Sequence, residues 1–488
     1  MRKSYRDADR DQLFLLPPSL RDWLPEGHLA NFVVDVVEHL DISSIEDEIQ
    51  ARDPRGNRPY SPRMMLAVLF YGYATGVYSS RRIARACAEN VAFRVVSGNN
   101  QPFFTNIAEF RKRFLPQLGA LFVQVLHLCV EAGLIEGRHV HVDGTKIKAN
   151  ASKHRAMSYA RMLQTEARLK EEIEELMRRA EAADREDDAR LGEGVDENDG
   201  VVPEVRRRET RLEWIRRTRE RLEDEARKAR ADHLRELAVD QDARADAEPR
   251  ETKQESIRRR AAKSRAQAEA LDPDGTSNDD DDDDLPRHRP PVSEDGTPKP
   301  EAQRNFTDPD SRIMQDKQGG FSQAYNPHVA VDEASHVILA HGLSNLAPDC
   351  PYLLPLLDRV TSNLGRAPET ATADAGYMSR ENLDGALLRG LRPYLAVHRE
   401  RRSWPPPPIA EGAPPEGASP RDWMSWMLRT KEGQQRMRKR KSTVELVFGV
   451  IKQATGFRQF LLRGLAKVRD EWALVCLGYN LRKLHLAA

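Results

Sequence analysis

The chain has 488 residues, of which 39% are hydrophobic and 32% are charged. This length predicts roughly two to four domains, and the high charge content predicts that part of the chain lies outside a hydrophobic core. The 77 basic and 77 acidic residues cancel, which excludes a chain that is basic throughout. The charge is nevertheless segregated, because Arg421 to Arg469 contains 13 Lys or Arg and 3 Asp or Glu, whereas Asp279 to Asp284 is six Asp in succession. Local charge therefore says more about binding partners than net charge does.

Cysteine usage and the start of the chain bear on the compartment. The four Cys are scattered without a C-x-x-C pair, so neither a zinc module nor a disulfide framework is predicted; they are Cys87, Cys129, Cys350 and Cys476. The segment Met1 to Asp11 is charged and does not resemble a signal peptide. No apolar run approaches the ~18 residues that span a bilayer. The sequence therefore predicts a cytoplasmic protein without a membrane partner.

Residues 1–135 are predicted to form a helical domain. Helices are expected at Gly27–Ile49, Met64–Thr75, Ser79–Glu89 and, as a pair, within Asn106–Ala132. The fold of this part is therefore expected to be all-α, with each helix burying one apolar face.

The Ser-Ser-Arg-Arg sequence that begins at Ser79 resembles the start of a DNA-reading helix in a helix-turn-helix. Arg81 and Arg82 would then contact phosphates, since basic helix starts meet them in many complexes. A plain helical bundle with solvated Arg side chains explains the same residues. The sequence leaves both interpretations open.

A strand with an acid inside it follows, within residues 136–152. In H-V-H-V-D-G-T, from His139 to Thr145, valines alternate with polar residues, which is a β-pattern, and Asp143 continues it. An acid in a core strand is costly unless a metal or a cation meets it. The alternative is that Asp143 caps a turn with Gly144.

Residues 153–270 are predicted to be a charged helical insertion. The break at Gly192 to Pro203 would let two helices fold back as an antiparallel hairpin along two apolar stripes. The stripes are Met162, Leu169, Ile173 and Leu176 in the first helix and Leu212, Ile215, Leu222 and Ala226 in the second. A solvated spacer is the simpler interpretation, and an arm that contacts DNA or another subunit is the alternative.

Residues 271–304 are predicted to be a disordered acidic and Pro-rich linker, because the segment lacks aromatic residues and is rich in Asp and Pro. Its six consecutive Asp have no turn or Gly between them and therefore no fixed geometry for a metal.

Residues 305–488 are predicted to complete an α/β unit. The expected elements are strands at Gln323–Val331 and His336–Ser344, a helix at Pro348–Asn363, a strand at Thr370–Asp374, a helix at Arg380–Arg389, a strand at Arg392–Val397, and closing helices at Lys431–Ala454 and Leu465–His485. With the insertion removed, an antiparallel meander precedes strands that alternate with helices. This is the order of an RNase H-like mixed sheet flanked by helices.

Three acids in separate elements form a candidate metal site: Asp143, Asp374 and Glu445. Asp374 ends a predicted strand, where ligands bind in open α/β sheets. Glu445 shares one face of a predicted helix with Lys441 and Lys452. Hard divalent cations prefer carboxylate oxygens, and two of them ~3.5–4 Å apart can activate an oxygen nucleophile and stabilise the leaving oxygen in phosphodiester chemistry. Each acid also has an ordinary explanation, a turn residue for the two Asp and an i,i+4 ion pair for Glu445.

Several stretches together resemble a bacterial insertion-sequence DDE transposase. They are V-D-G-T-K-I-K-A-N-A-S-K, D-K-Q-G-G-F-S-Q-A-Y-N-P-H-V-A-V-D, T-A-D-A-G-Y, and R-K-S-T-V-E-L-V-F-G-V-I-K followed by G-F-R-Q-F-L-L-R-G. In the amino-terminal part, R-P-Y-S-P-R-M-M-L-A-V-L-F-Y-G-Y is similar to the helical domain that precedes such cores.

The resemblance implies a catalytic triad of Asp143, Asp374 and Glu445 that binds two Mg²⁺ or Mn²⁺ ions. It also implies that the protein binds the terminal inverted repeats of its element, cleaves strands at the ends and transfers them to target DNA. The partner would be double-stranded DNA, bound by a homodimer that associates with the bacterial nucleoid.

The basic residues around the triad depart from the family at two positions. Glu445 and Lys452 keep the family's spacing, but Arg438 stands where relatives have Tyr, and Lys441 stands where they have Arg. The residues expected to contact DNA are Lys146, Lys148, Arg438, Arg440, Lys441, Lys452, Arg458, Arg81 and Arg82. Two other functions suit the same sequence: an RNase H-like nuclease that cuts without joining, and a DNA-binding regulatory protein, derived from a transposase, that needs no metal.

Overall fold

In a computed structural model of the chain, the described residues are 19–51, 59–191, 201–273, 275, 285–316, 319–398 and 408–488. The amino-terminal part is helical, as predicted. Its helices are α1 (Leu29–His39), α2 (Ser43–Gln50), α3 (Pro62–Thr75), α4 (Ser80–Glu89), α5 (Val91–Val96), α6 (Phe104–Phe114) and α7 (Leu118–Glu131). Ser61 precedes α3 and Pro62 is its first residue, which agrees with the preference of Pro for the first helical position.

Two features of this part differ from the prediction. The helix expected over Gly27–Ile49 is two helices, because Leu40 takes an extended backbone and buries its side chain together with Ile42. The short helix α5 was not expected, and the side chain of Asn90 caps it by accepting a hydrogen bond from the Phe93 N–H at 3.2 Å. Apolar periodicity alone does not reveal such a short, capped element.

The remaining strands and helices follow in chain order. They are β1 (His139–Gly144), β2 (Ile147–Lys148), β3 (Ala156–Ser158), α8 (Tyr159–Leu191), α9 (Val201–Ala247), α10 (Glu251–Leu271), β4 (Gln303–Asn305), β5 (Arg312–Gln315), β6 (Phe321–Asp332), β7 (Ile338–Ser344), α11 (Leu353–Leu364), β8 (Thr370–Ala373), α12 (Arg380–Leu388), β9 (Arg392–Leu395), α13 (Pro420–Arg429), α14 (Lys431–Gly449) and α15 (Leu465–His485). A π-helical turn, Val450–Ala454, continues α14.

The longer strands form one mixed sheet in the order β7-β6-β1-β8-β9. Strand β6 is antiparallel to both β7 and β1, whereas β8 is parallel to both β1 and β9. Short β2 and β5 also pair with β6. The predicted meander and the alternation of strands with helices are therefore confirmed. The central strands are buried because helices cover the sheet, with α11 and α15 packed on β7 and α14 on β1 and β8.

The insertion contains the predicted helical hairpin and a third helix. The two apolar stripes meet between α8 and α9, where Met162, Leu169, Leu212 and Leu222 are buried. Helix α10 packs along α9 and was not predicted as a separate element. Of the expected break, residues 192–200 lie outside the described part of the chain, and α9 begins at Val201.

The predicted linker 271–304 differs from the structure after Leu285. Residue 274 and residues 276–284, which include the six Asp, lie outside the described part of the chain. Leu285 is buried, and the carbonyl of Pro286 accepts hydrogen bonds from Ser344 and Tyr352 at 2.7 and 2.9 Å. Proline-rich composition predicted disorder, but these residues lie on the sheet and gain burial there.

The helical part and the sheet share one hydrophobic cluster. Helix α15 packs against α3 and α7 as well as β7, and a Cβ on Gly478 would lie only 3.0 Å from the backbone of Tyr73 and Ala74. The absence of that side chain lets α15 and α3 cross closely. In the described residues, Phe104–Glu131 is long and apolar enough to cross a membrane by length and composition alone, but 44% of its apolar window is buried, which the core helix of a soluble protein also shows.

Candidate acidic site at one edge of the sheet

Asp143 and Asp374 lie at the same edge of the sheet. Strands β1 and β8 are parallel neighbours, with His141 opposite Thr372, so two further residues along each strand bring the chain to the two Asp. Each carboxylate accepts a hydrogen bond from a following Gly N–H at 2.8 Å, Asp143 from Gly144 and Asp374 from Gly376. Both Asp therefore follow the turn geometry that their sequences favour, and they also share the strand ends where open α/β sheets bind ligands.

A third acid, Asp349, occupies the same edge and was not predicted. It precedes a 3-10 turn, Cys350–Tyr352, that leads into α11. Its Oδ1 accepts hydrogen bonds from Lys146 Nζ at 2.9 Å and from Asn326 Nδ2 at 2.8 Å. Strand β7 ends just before it and runs in the same direction as β1, with β6 between them, so the carboxyl ends of β7 and β1 lie at the same edge of the sheet. An acid a few residues after a predicted strand was the signal that could have found it.

A buried histidine and tyrosine form the floor of this site. His328 and Tyr377 are fully buried, and Nδ1 of His328 lies 2.7 Å from the Tyr377 hydroxyl. Burial, assisted by Lys146, lowers the pKa of His328 to about 3, so the imidazole is neutral. Burial, and then the charge of Asp349, Asp143 and Asp374, raise the pKa of Tyr377 well above its ordinary value. All three carboxylates therefore raise the pKa of the same hydroxyl group.

Two cations face the acids from inside the protein. Arg440 is 8% exposed, and its Nη1 lies 3.6 Å from Asp143 Oδ2. The Lys146 ammonium donates to the Ala347 carbonyl at 2.7 Å as well as to Asp349. Burial lowers the pKa of Lys146, although all three Asp oppose that effect. Both cations were expected to contact DNA, but in this structure they neutralise the acidic site.

The loop after β1 is held by Lys452 on the π-helical turn. Its Nζ donates to the Thr145 hydroxyl and, at 3.1 Å, to the Lys146 carbonyl. Arg458 donates from Nε to the Lys452 carbonyl at 3.0 Å, and the Phe460 N–H donates to the Lys148 carbonyl at 2.9 Å. π-Helical turns occur frequently at functional sites. Hydrogen bonds therefore join Lys148, Lys452 and Arg458 in the segment that follows Asp143.

The first half of α14 is fixed to β1 by a buried ion cluster around Glu333, which follows β6. Glu333 Oε1 lies 2.7 Å from Arg436 Nη1 and 2.8 Å from Lys439 Nζ, and Oε2 lies 3.3 Å from His141 Nε2. Arg436 also lies 2.8 Å from His139 Nε2. The two histidines that alternate with valines before Asp143 thus hold the helix that carries Arg440.

Two family models match separate parts of the chain. One, described as "Transposase domain (DUF772)", matches residues 18–113, and the other, "Transposase DDE domain", matches residues 415–485. The two matches support an insertion-sequence DDE transposase. Searches of curated proteins and of solved structures returned no match. The second matched region contains Arg440, Glu445 and Lys452, whereas Asp143, Asp349 and Asp374 lie outside both matched regions.

Glu445, the third acid of the expected group, is on α14 and not on the sheet. Its neighbours Val444 and Val447 are buried, but Glu445 itself is exposed on α14. Within the described ranges, no three His, Cys, Asp or Glu side chains converge closely enough to hold a metal. The structure therefore brings two acids of the expected triad to one edge, adds Asp349, and leaves Glu445 on the helix beside them.

The other basic residues expected to contact DNA are on the surface. Arg438 and Lys441 are exposed on α14, and Arg81 and Arg82 are exposed in the first turn of α4. Arg81 lies over the ring of Phe104 at 5.1 Å from its centroid. DDE transposases act on DNA and generally use divalent metal ions.

Proposed function

We propose that this transposase binds the terminal inverted repeats of an insertion sequence, cleaves DNA strands at the ends and transfers them to target DNA. Mg²⁺ or Mn²⁺, as two ions, would be held by Asp143, Asp374 and Glu445. The observation that carries the proposal is the position of Asp143 and Asp374 at the ends of adjacent parallel strands. Carboxylates at that edge, next to a basic surface, suit a metal-bound phosphodiester.

The order of the sheet supports an RNase H-like core. Three antiparallel strands, β7, β6 and β1, continue into two parallel strands, β8 and β9. Asp143 belongs to the central strand of this order and Asp374 follows its parallel neighbour. The long helical insertion lies between β2 and β5 in the chain. It therefore interrupts the sequence of the core but does not change the order of the long strands in the sheet.

The residues of the site fit divalent cations in their chemistry. Carboxylate oxygens are the donors that Mg²⁺ and Mn²⁺ prefer. Bound there, the ions supply a nucleophilic oxygen and stabilise the leaving oxygen. Arg440 and Lys146, which lie against the acids, reduce repulsion between the carboxylates. Glu445 would provide the third carboxylate from α14.

The remaining residues have roles in DNA binding. Arg438, Lys441 and Arg458 are exposed near the acidic site and would contact backbone phosphates. Lys452 holds the loop after β1 through Thr145 and would keep Asp143 aligned with the scissile strand. Arg81 and Arg82, together with Lys148, would add contacts farther along the duplex. Two ends must be paired during transposition, so a homodimer on DNA is part of the proposal.

The test is a cleavage and strand-transfer assay on duplexes that carry the inverted repeats flanking the gene. Asp143→Ala, Asp374→Ala and Glu445→Ala should each abolish Mg²⁺-dependent cleavage and leave end binding largely intact. Asp384→Ala is the control, because Asp384 is exposed on α12 and pairs with Arg380 in the same helix. Cleavage that survives in one variant removes that residue from the triad.

The same assay separates the two alternative functions. Cleavage without joining by the wild-type protein would identify a nuclease. Repeat binding without cleavage in Mg²⁺ or Mn²⁺ would identify a regulatory protein that no longer transposes DNA.

A further inference from the structure

We infer that Asp349 is a fourth carboxylate of the transposase metal site and binds a divalent cation together with Asp374. This inference rests on the proposed function, because it assigns a further ligand to the same site. It is carried by the position of both Asp349 oxygens, by the residues packed around them, and by a buried imidazole nitrogen without a partner.

One oxygen of Asp349 is held and the other faces Asp374. Oδ1 accepts hydrogen bonds from Lys146 and Asn326 at 2.9 and 2.8 Å. A point at the Cβ position of Gly376 would lie 3.2 Å from Asp349 Oδ2 and 3.0 Å from Asp374 Oδ1. The two oxygens can be no farther apart than the sum of those distances. The hydrogen bonds to Oδ1 thus hold the carboxylate, while Oδ2 and Asp374 Oδ1 lie beside the same glycine.

The glycines after the two strand-end acids make room for this arrangement. A Cβ on Gly144 would lie 2.7 Å from the ring of His328 and 3.2 Å from Asp349 Oδ1. A Cβ on Gly376 would crowd the other oxygen of Asp349 in the same way. The sequences Asp-Gly and Asp-Ala-Gly therefore suit a site that already contains a third carboxylate between them.

His328 provides an independent indication of a ligand. It is fully buried, its Nδ1 is used by Tyr377, and its Nε2 has no hydrogen-bond partner among the described residues. Nε2 points toward Asp349, 4.0 Å from Oδ1. Buried polar atoms without partners are rare and call for an explanation such as a missing ion. Carboxylates that bind metals are themselves oriented by hydrogen bonds, and Asp349 accepts such bonds from Lys146 and Asn326.

The local charge also leaves room for a cation. Asp143, Asp349 and Asp374 all act on Tyr377 and on Lys146. Lys146 pairs with Asp349 Oδ1 and Arg440 with Asp143 Oδ2, so two cations offset three carboxylates. Carboxylates that lie close together repel each other, and a divalent ion would offset the remaining negative charge.

The first experiment measures Mn²⁺ binding to the full chain without DNA, by electron paramagnetic resonance of the free ion. Asp349→Asn should weaken Mn²⁺ affinity at least tenfold, as should Asp374→Asn. The control is Asp358→Asn on α11, because Asp358 is exposed and pairs with Arg389 at 2.6 Å. The Tm of each variant without metal shows whether the loss of affinity arises from unfolding.

The outcomes separate this inference from the proposed function. If Asp349→Asn binds Mn²⁺ as the wild type does, while Asp143→Asn and Asp374→Asn lose both binding and cleavage, then Asp349 is not a ligand and the proposed function stands. If the wild-type protein binds no Mn²⁺ and cleaves no DNA, both fail together.

The second experiment uses the unaltered protein and so does not depend on how a variant folds. Fe²⁺ with ascorbate and peroxide cleaves a polypeptide close to the bound iron. Cuts are expected beside Asp349 and beside Asp374, and excess Mg²⁺ should suppress both. Cuts at Asp143 and Asp374 without one at Asp349 would overturn the inference.

Discussion

Arg440 Nη1 lies 3.6 Å from Asp143 Oδ2, so a cation from α14 meets the acid at the end of the central strand. Both side chains are largely buried, with 10% and 18% of their surface exposed. The contact explains how an acid is tolerated at the end of a core strand, since a buried carboxylate requires a cation or a metal. It also orients α14, because Arg440 and the Glu333 cluster attach successive turns of that helix to β1.

Replacing Arg440 should destabilise the protein more than replacing its exposed neighbour. Arg440→Met leaves Asp143 partly buried without its cation and should lower the free energy of unfolding by about 1–3 kcal/mol. Arg438→Met, two residues away and exposed, should change it by less than about 0.5 kcal/mol. Urea unfolding of both variants makes the comparison, and equal stability would show that the contact with Asp143 contributes little.

The exposed basic residues should determine the salt dependence of DNA binding. Arg438→Ala and Arg458→Ala should each reduce the slope of log K against log salt by about 0.9, because one fewer counterion is released. Lys146→Ala should leave that slope unchanged, since its ammonium is bound to Asp349 and a carbonyl. Fluorescence anisotropy at several salt concentrations measures the slope for all three variants. An altered slope for Lys146→Ala would show that the Lys146 ammonium contacts a backbone phosphate.

The Glu333 cluster should lose its stabilising effect in acid. Burial would raise the pKa of Glu333, but hydrogen bonds from His141, Lys439 and Arg436 outweigh it and hold the pKa well below the ordinary value of 4.5. A depressed folded-state pKa gives stability above the unfolded pKa that is lost as pH falls toward the folded one. Glu333→Gln should therefore be less stable than wild type by about 1–3 kcal/mol at pH 7, and the difference should shrink below pH 4.5. A constant difference between pH 7 and pH 3 would contradict this.

Glu471 should have the opposite dependence on pH. It is fully buried on α15 and accepts hydrogen bonds from the Leu461 and Leu462 N–H groups. Burial raises its pKa to about 7 although those hydrogen bonds oppose the rise. A pKa that is higher in the folded state than in the unfolded state stabilises the folded protein below the unfolded pKa, which is ordinarily 4.5. That stabilisation is lost as the pH increases to about 7.

Glu471→Gln removes this titration and isolates its effect. The variant should gain stability relative to wild type as pH rises from 4.5 to 8, by up to about 3 kcal/mol. Chemical unfolding at several pH values measures the change. The difference in stability between the two proteins at pH 4.5 accounts for any effect of the substitution on packing. If the difference in stability between wild type and variant does not change across this pH range, Glu471 is ionised in the folded protein well below pH 7.

Local pattern predicted most of the sheet region. The alternation in β1, the hairpin of β6 and β7, and the strand before Asp374 are all visible in short windows, because the period of a strand is a property of adjacent residues. The stripes of the helical insertion were visible for the same reason. Helix α5, helix α10 and the packing of Leu285 were missed, since a cap, a charged helix and an apolar residue in a Pro-rich segment carry little periodic signal.

The site was predicted in part. Asp143 and Asp374 could be found because each ends a recognisable strand. Asp349 was missed because it precedes a helix, and its neighbours in sequence do not show that β7 and β1 end at the same edge of the sheet. Arg440 and Lys146 were expected on the DNA surface, since a sequence shows that a residue is basic and does not show which way its side chain points.

The sequence alone predicted the order of the strands, the position of the helical insertion and the resemblance to a DDE transposase, because periodicity and motif spacing are encoded in neighbouring residues. The tertiary structure decided which charges meet. Asp143, Asp349 and Asp374 are up to 231 residues apart in the chain, and they come together only when parallel strands place their carboxyl ends at one edge. Helix α14 then buries Arg440 against Asp143 and leaves Glu445 exposed, because packing on the sheet selects one face of the helix.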